Sequence, residues 1–270
     1  MLSGIKTMGN NPGAACYERD TIILNSNHLL DTFSPLSASS PLLPPYVPIS
    51  LDTIAASRLK EWTQDSKKYF LSIAGPRRKG LESPPMTVLA SMCIDFATTA
   101  KLPVISYFCT LPRETELREG NTREVQALLS LTYALIRQLI EQLPVQFSSE
   151  FDFAKERIAL LDGALGSWKN TSGLLCDLLE AAPKPLFCVI NDFQVLDSWS
   201  TGRLIGDLFK ALRGSETKDV ETERIKVLIT TTGKSSALTK HLKAEEMVLA
   251  DRDGAVDSPS RKGGNTPLIL

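Results

Sequence analysis

The chain has 270 residues, of which 43% are hydrophobic and 23% charged, and its formal net charge is −1. That length holds one sizeable α/β domain plus tails, and the composition is ordinary for a soluble globular protein. A charge balance this close to zero leaves no electrostatic footprint for nucleic acid or an anionic membrane, so neither is an expected partner.

Residues 1–50 are expected to be poorly structured. "FSPLSASSPLLPPYVP" sets Pro35, Pro41, Pro44, Pro45 and Pro48 among serines, the composition of an extended linker. A helix is expected from near Asp52, with Leu51, Ile54, Leu59 and Trp62 as its apolar members. "YFLSIA" (69–74) then reads as a buried strand, and "MTVLASMCIDFATTA" (86–100) as a helix. On that helix Met86, Leu89, Ala90, Cys93, Ile94 and Ala97 share one face.

"PVISYFC" (103–109) is β-branched and aromatic, a second strand. A long amphipathic helix is predicted over 123–143 through Val125, Leu128, Leu129, Thr132, Ile136, Leu139 and Leu143, and it suits a core position. Shorter helical pieces follow near 151–161 and 172–182. "PLFCVIND" (185–192) is the continuous apolar run of a central parallel strand. A helix over 201–213 repeats Leu204, Ile205, Leu208, Phe209 and Leu212; "IKVLITTT" (225–232) is another central strand and "EEMVLA" (245–250) a short last one. The tail 251–270 lacks periodicity and reads as disordered.

Strands alternating with helices predict an α/β fold, a mostly parallel central sheet with helices on both faces. Ligands of such sheets sit at the carboxyl ends of the strands, here after Ala74, Cys109, Ile190 and Thr232. After the first strand, Gly75 and Gly80 hold the glycine positions of the phosphate-binding pattern G-x-x-x-x-G-K-[ST]. Leu81 stands where the lysine belongs and Glu82 where the hydroxyl belongs. A Glu82 carboxylate about 4 Å from a phosphate charge would be repelled by roughly 4 kcal/mol at an effective dielectric near 20. Ser83 reads as an N-cap and Pro84 or Pro85 as a first-turn residue, so the helix starts several residues past Gly80. Arg77, Arg78 and Lys79 bring positive charge into the loop, either as substitutes for the lysine or as a solvated loop surface.

After the central strand, the carboxylate that would bind Mg²⁺ is replaced by Asn191, a weaker ligand. Asp192 falls on the opposite side if the strand continues, and Asp197 is the next acid. Thr231, Thr232 and Lys234 stand where a polar group can sense a terminal phosphate, or simply end a strand.

Five cysteines (Cys16, Cys93, Cys109, Cys176 and Cys188) show no CxxC or zinc-ligand spacing, and no metal site is expected. Four of them lie in apolar segments as small hydrophobes, and the odd count suggests a reducing compartment. His28 and His241 are too few for a His-based metal site or a Ser-His-Asp triad. No apolar run approaches the ~18–20 residues of a membrane span and no secretory signal is visible, so a cytoplasmic location is expected.

The ordered set "YFLSIAGPRRKG", "PVISYFCTL", "LLSLTYALIRQLIEQLP", "PLFCVINDFQVLD" and "KVLITTTGKSSAL" resembles the nucleotide-binding domain of STAND NTPases. It is most similar to the divergent NACHT-like proteins of filamentous fungi, over roughly residues 50–250. The resemblance implies a P-loop NTPase-like domain over 51–250, built as a nucleotide-dependent switch. Gly75 and Gly80 would be its phosphate-loop glycines, Asn191 its Mg²⁺ position, and Thr231 and Thr232 its sensor strand end. The lysine, the hydroxyl and the Mg²⁺ carboxylate of that family are all replaced here, and no sensor arginine follows "ITTT". Family members usually carry a C-terminal helical or repeat region; the sequence stops about twenty residues after its last expected strand, so such a region is expected to be missing, by divergence, truncation or an incomplete gene model. What this implies is a regulatory or scaffold module with weak or no hydrolysis, no catalytic residues and protein partners. The alternative is an ATP- or GTP-binding switch with Mg²⁺, in which Arg77, Arg78 or Lys79 replaces the lysine. A chance G-x-x-x-x-G in an unrelated α/β protein also stays open.

Overall fold

The apolar runs of the sequence pair into one sheet in a computed structural model, which describes residues 14–33, 50–51, 53–65, 67–76, 85–114, 117–214, 225–250 and 266–267. In chain order, β1 (Ala15–Glu18), α1 (Arg19–Asn25) and a 3-10 turn (Asn27–Thr32) precede β2 (Ser50–Leu51) and α2 (Thr53–Gln64). Next come β3 (Phe70–Gly75), α3 (Pro85–Thr99), β4 (Val104–Phe108) and α4 (Arg123–Gln142). They are followed by β5 (Gln146–Ser149), α5 (Lys155–Ala159), α6 (Trp168–Ala181), β6 (Leu186–Asn191) and α7 (Gly202–Arg213). β7 (Ile225–Thr232), α8 (Ser236–His241), β8 (Met247–Leu249) and β9 (Thr266–Pro267) are the last described elements.

Five strands form the main sheet in the order β4–β6–β7–β3–β8, every neighbouring pair parallel. All six residues of β6 are buried, as a strand covered on both faces requires. Alternate residues feed two helical layers. Leu71, Ile73, Phe187, Val189 and Leu228 face α2 and α3. Phe70, Ile105, Cys188, Ile190, Val227 and Ile229 face α4, α6 and α7. The α/β class with helices on both faces of a parallel sheet is therefore as expected.

The edge strand β4 is shielded by a side chain. On α4, Gln138 accepts from Ser106 N (2.8 Å) and donates to Ser106 O (2.8 Å), satisfying backbone groups that face away from β6. At the start of the central strand β7, Lys226 hides inside the apolar run. Its ammonium donates to the carbonyls of Trp62 (2.6 Å), Lys68 (2.8 Å) and Asp65, clamping the turn from α2 into β3. Burial lowers the Lys226 pKa, and the nearby Asp65 charge opposes that shift.

Several expectations are revised. Residues 14–33, read as poorly structured, form regular elements: β1 pairs antiparallel with β5, and Tyr17 packs edge-on against Phe153 at 5.4 Å. Arg137 of α4 donates to Ile23 O (2.7 Å), Ser26 Oγ (2.9 Å) and Asn27 Oδ1 (3.0 Å), holding this segment on the domain. The proline-rich stretch 34–49 and most of the tail 251–270 lie outside the described residues. The first helix of the domain begins at Thr53, and Ile54, expected on its apolar face, is exposed while Ala55 is buried. The helix expected near 172–182 starts earlier, at Trp168. Cys93, Cys109 and Cys188 are buried, but Cys176 is exposed on α6, as is Cys16 on β1. Among the described residues no helix is long and apolar enough to cross a membrane.

Crossover direction positions the site. Leaving β3, the chain enters α3 on one face; leaving β6 and β7, it enters α7 and α8 on the other. Neighbouring strands β3 and β7 thus send their chains to opposite faces, which opens a crevice at their carboxyl ends.

Away from the crevice, α7 is pinned to the approach of β8. Arg213 Nη1 and Nη2 donate to Glu246 Oε1 (3.0 Å) and Oε2 (2.7 Å), and the guanidinium lies 4.4 Å from the centre of the Phe70 ring. Burial pushes the Glu246 carboxyl up, but the Arg213 hydrogen bonds, the Lys243 amide and both positive charges outweigh it, leaving the pKa below its ordinary value. The pair's contribution is therefore complete above the ordinary glutamate pKa and is lost as pH falls through the lowered one. Glu246→Gln should lower stability at pH 7 by roughly 1–2 kcal/mol, between the limits for exposed and buried pairs. Urea unfolding of both proteins at pH 7 and near pH 3 should show that gap closing in acid.

Candidate functional site at the carboxyl ends of the strands

Strand register brings the ends of β3 and β7 level and sets the end of β6 beside Thr230, just behind them. Gly75 stands opposite Thr232, and Asn191 opposite Thr230. Gly233 N donates to Gly75 O at 2.8 Å, so the chain leaving β7 is tied to the chain leaving β3. On the other flank, Cys109 N donates to Asn191 O at 2.9 Å.

Asn191 is the hub of a closed polar network. Its Oδ1 accepts from the fully buried Thr230 Oγ1 at 2.7 Å. Its Nδ2 donates to Asp192 Oδ2 (2.8 Å) and to Thr87 Oγ1 (3.1 Å) in the first turn of α3. The other carboxylate oxygen, Asp192 Oδ1, accepts from Thr232 Oγ1 and Gln194 Nε2, both at 3.0 Å. Gln194 Oε1 in turn accepts from Thr232 N at 3.1 Å. Among the described residues no buried side-chain nitrogen or oxygen lacks a hydrogen-bond partner.

The backbone at Asp192 produces this convergence. The strand ends at Asn191, and Asp192 has φ 56°, ψ 37°, the left-handed conformation that Asp and Asn adopt more readily than other residues with a Cβ. An extended Asp192 would have faced away from Asn191; the left-handed turn brings the carboxylate back beside the amide.

Of the residues singled out in the sequence, Gly75, Asn191, Asp192 and Thr232 come together here. Arg77, Arg78, Lys79 and Gly80, with Leu81 to Pro84, lie outside the described residues; the helix after them starts at Pro85. Thr231 is buried at the same strand end, but its hydroxyl donates to Gly233 O (2.8 Å) and shapes the turn. Lys234 is exposed. Asp197 caps a helix: its two carboxylate oxygens accept from Ser236 N (2.7 Å) and Ala237 N (2.8 Å), the first amides of α8.

Three members of the network escape sequence reading. The eight-residue phosphate-loop pattern looks for its hydroxyl at position 82, whereas the hydroxyl that meets Asn191 is Thr87, within the helix that the prolines delay. Thr230 looks like a strand residue, and Gln194 is drawn in only by the turn that Asp192 initiates. "Asn-Asp" after a buried strand was the available signal for that turn.

Thiol chemistry is not on offer at this crevice. Burial, followed by the neighbouring Asp192 charge, holds the Cys109 pKa well above its ordinary value, and burial alone pushes Cys93 and Cys188 to about 12. Among the described residues no three His, Cys, Asp or Glu side chains are grouped to hold a metal ion. Neither a protein-family model nor a curated protein sequence matches this chain.

Gly75 is held to its identity by packing. A Cβ there would stand 2.6 Å from Met86 Cγ and 3.0 Å from its Sδ, and Met86 is itself buried. Gly75→Ala should therefore cost about 1–3 kcal/mol through overpacking. In a double-mutant cycle with Met86→Ala, measured by chemical denaturation, the two losses should sum to less than their separate values because the smaller side chain removes the clash.

Proposed function

We propose that residues 51–250 are a degenerate STAND/NACHT-like P-loop module that serves as an intracellular regulatory or scaffold element, with weak or no nucleotide hydrolysis. The observation that carries this reading is that, among the described residues, the polar side chains at the carboxyl ends of the strands are already paired with one another. Asn191, in the place of a Mg²⁺ carboxylate, spends its amide on Thr87, Asp192 and Thr230. A working phosphoryl-transfer site instead presents a cation, a lysine and unpaired backbone donors to the phosphates. The parallel sheet with its crevice between β3 and β7 supports descent from such a site, since that is where nucleotides bind in open α/β sheets. Protein partners, not substrates, are the proposed ligands.

A second reading keeps nucleotide binding. Thr87, a hydroxyl in the first turn of the helix that follows the glycine loop, sits within 3.1 Å of Asn191, and this favours a retained pocket. In that reading Arg77, Arg78 or Lys79 would supply the missing positive charge to ATP or GTP.

Calorimetric titration of the full chain with ATP and GTP, with and without Mg²⁺, separates the two. The scaffold reading expects no heat and no thermal shift at millimolar nucleotide. Micromolar binding that needs Mg²⁺, and that disappears when Arg77, Arg78 and Lys79 are all changed to Ala, would instead establish the switch.

A further inference from the structure

A divalent cation beside a nucleotide needs hard oxygen ligands, commonly one or two carboxylates, a hydroxyl and waters. Two such oxygens converge here, Thr87 Oγ1 and Asp192 Oδ2, and among the described residues one atom hydrogen-bonds to both. That atom is Asn191 Nδ2. Its orientation is fixed by its partners: with the amide turned over, a carbonyl oxygen would lie 2.8 Å from the Asp192 carboxylate and NH₂ would face the Thr230 hydroxyl, which now donates to Oδ1 at 2.7 Å. Asn191 is 2% exposed, and turning its amide over would set two acceptor oxygens against each other at Asp192. The residues as they stand do not fit a divalent cation.

We propose that the Asn191 NH₂ group is a built-in stand-in for the cation: its two N–H donors bridge the hydroxyl and the carboxylate that a metal ion would otherwise join. The site is a latent divalent-cation site held shut by one amide. This deepens the proposed function, on which it rests only for the class of ion expected. Changing the amide to a carboxylate keeps an acceptor for Thr230 but sets a second negative oxygen beside Asp192. The new oxygen takes the place of a nitrogen that lies 2.8 Å from Asp192 Oδ2 and 3.1 Å from Thr87 Oγ1, and a divalent cation that draws the two carboxylates and the hydroxyl around itself relieves their repulsion.

The experiment compares the full-length wild type with Asn191→Asp, melted in metal-free buffer and with millimolar MnCl₂ or MgCl₂, ionic strength matched with NaCl and no nucleotide present. Wild type should melt at the same temperature throughout. Asn191→Asp should melt lower without metal, from carboxylate repulsion, and recover by roughly 5 °C or more with Mn²⁺. Adding Thr87→Val to Asn191→Asp should abolish most of the recovery, which separates this site from surface carboxylates. Should Asn191→Asp fail to fold, Asn191→Ala empties the same place without adding charge. Electron paramagnetic resonance should then find Mn²⁺ bound to Asn191→Ala and none bound to wild type.

Specific Mn²⁺ binding by wild type that Thr87→Val weakens would overturn the proposal. So would a folded Asn191→Asp, or failing that Asn191→Ala, with no response to metal. Nucleotide is absent from every arm, so a negative result here leaves the scaffold reading untouched. Nucleotide binding by wild type without metal would in turn challenge that reading while leaving this proposal standing.

Discussion

A parallel strand covered by helices on both faces has no side chain to spare for chemistry along its length. In β6 all six positions are buried, and the first residue free to act is the one at the end. Every crossover in this sheet returns the chain to the same edge, so the ends of β3, β6 and β7 are gathered side by side by the hydrogen-bond ladder itself. The polar cluster at Asn191 is thus a consequence of sheet register, and any change that slipped β7 against β3 or β6 by one residue would take Thr230 and Thr232 away from it together.

Within that frame one local conformation decides the character of the site. Left-handed backbone at a residue with a Cβ costs about 1–2 kcal/mol. At Asp192 it is sustained because the carboxylate then receives three donors: the Asn191 amide, the Thr232 hydroxyl and the Gln194 amide. Hydrogen bonds to an ionised acceptor are each worth about 1.5–3 kcal/mol, more than enough to offset the turn. The same turn starts the 3-10 segment Phe193–Leu196, seats Phe193 in the core, and brings Asp197 to the first amides of α8. Conformation at one residue therefore fixes the exits of two strands and the start of a helix.

The core strands and long helices were legible because burial writes a pattern. The unbroken run Leu186–Ile190, the heptad-like spacing of α4 and the strand Ile225–Thr232 appear where the sequence places them, nearly to the residue. What the pattern could not carry was pairing at a distance. β1 and β5 are four residues each, too short for alternation to stand out, and they are joined across more than a hundred residues by Tyr17, Phe147 and Phe153. Ile54 and Cys176 were misread because a helix face is set by what it packs on, and a residue at the margin of the stripe can fall on either side. In the site, Gly75, Asn191 and Thr232 follow from strand ends alone; Asp192, expected on the opposite side, joins them only through its left-handed turn. Thr87 does not follow, because a fixed motif spacing cannot register a helix delayed by prolines.

Saturation of the crevice also has a thermodynamic side. A site that binds a ligand only when folded adds RT ln(1 + [L]/Kd) to stability, so a domain built around a cation or nucleotide is tied to their concentrations. In the proposed reading, the Asn191 amide satisfies the two oxygens a cation would join with covalently attached donors, whose effective concentration never changes. The strand ends are then ordered whether or not any small molecule is present. For a switch that is a loss, since two states separated only by ligand contacts collapse into one. For a scaffold of the kind proposed it is a gain, because among the described residues every buried side-chain group is already paired without any ligand.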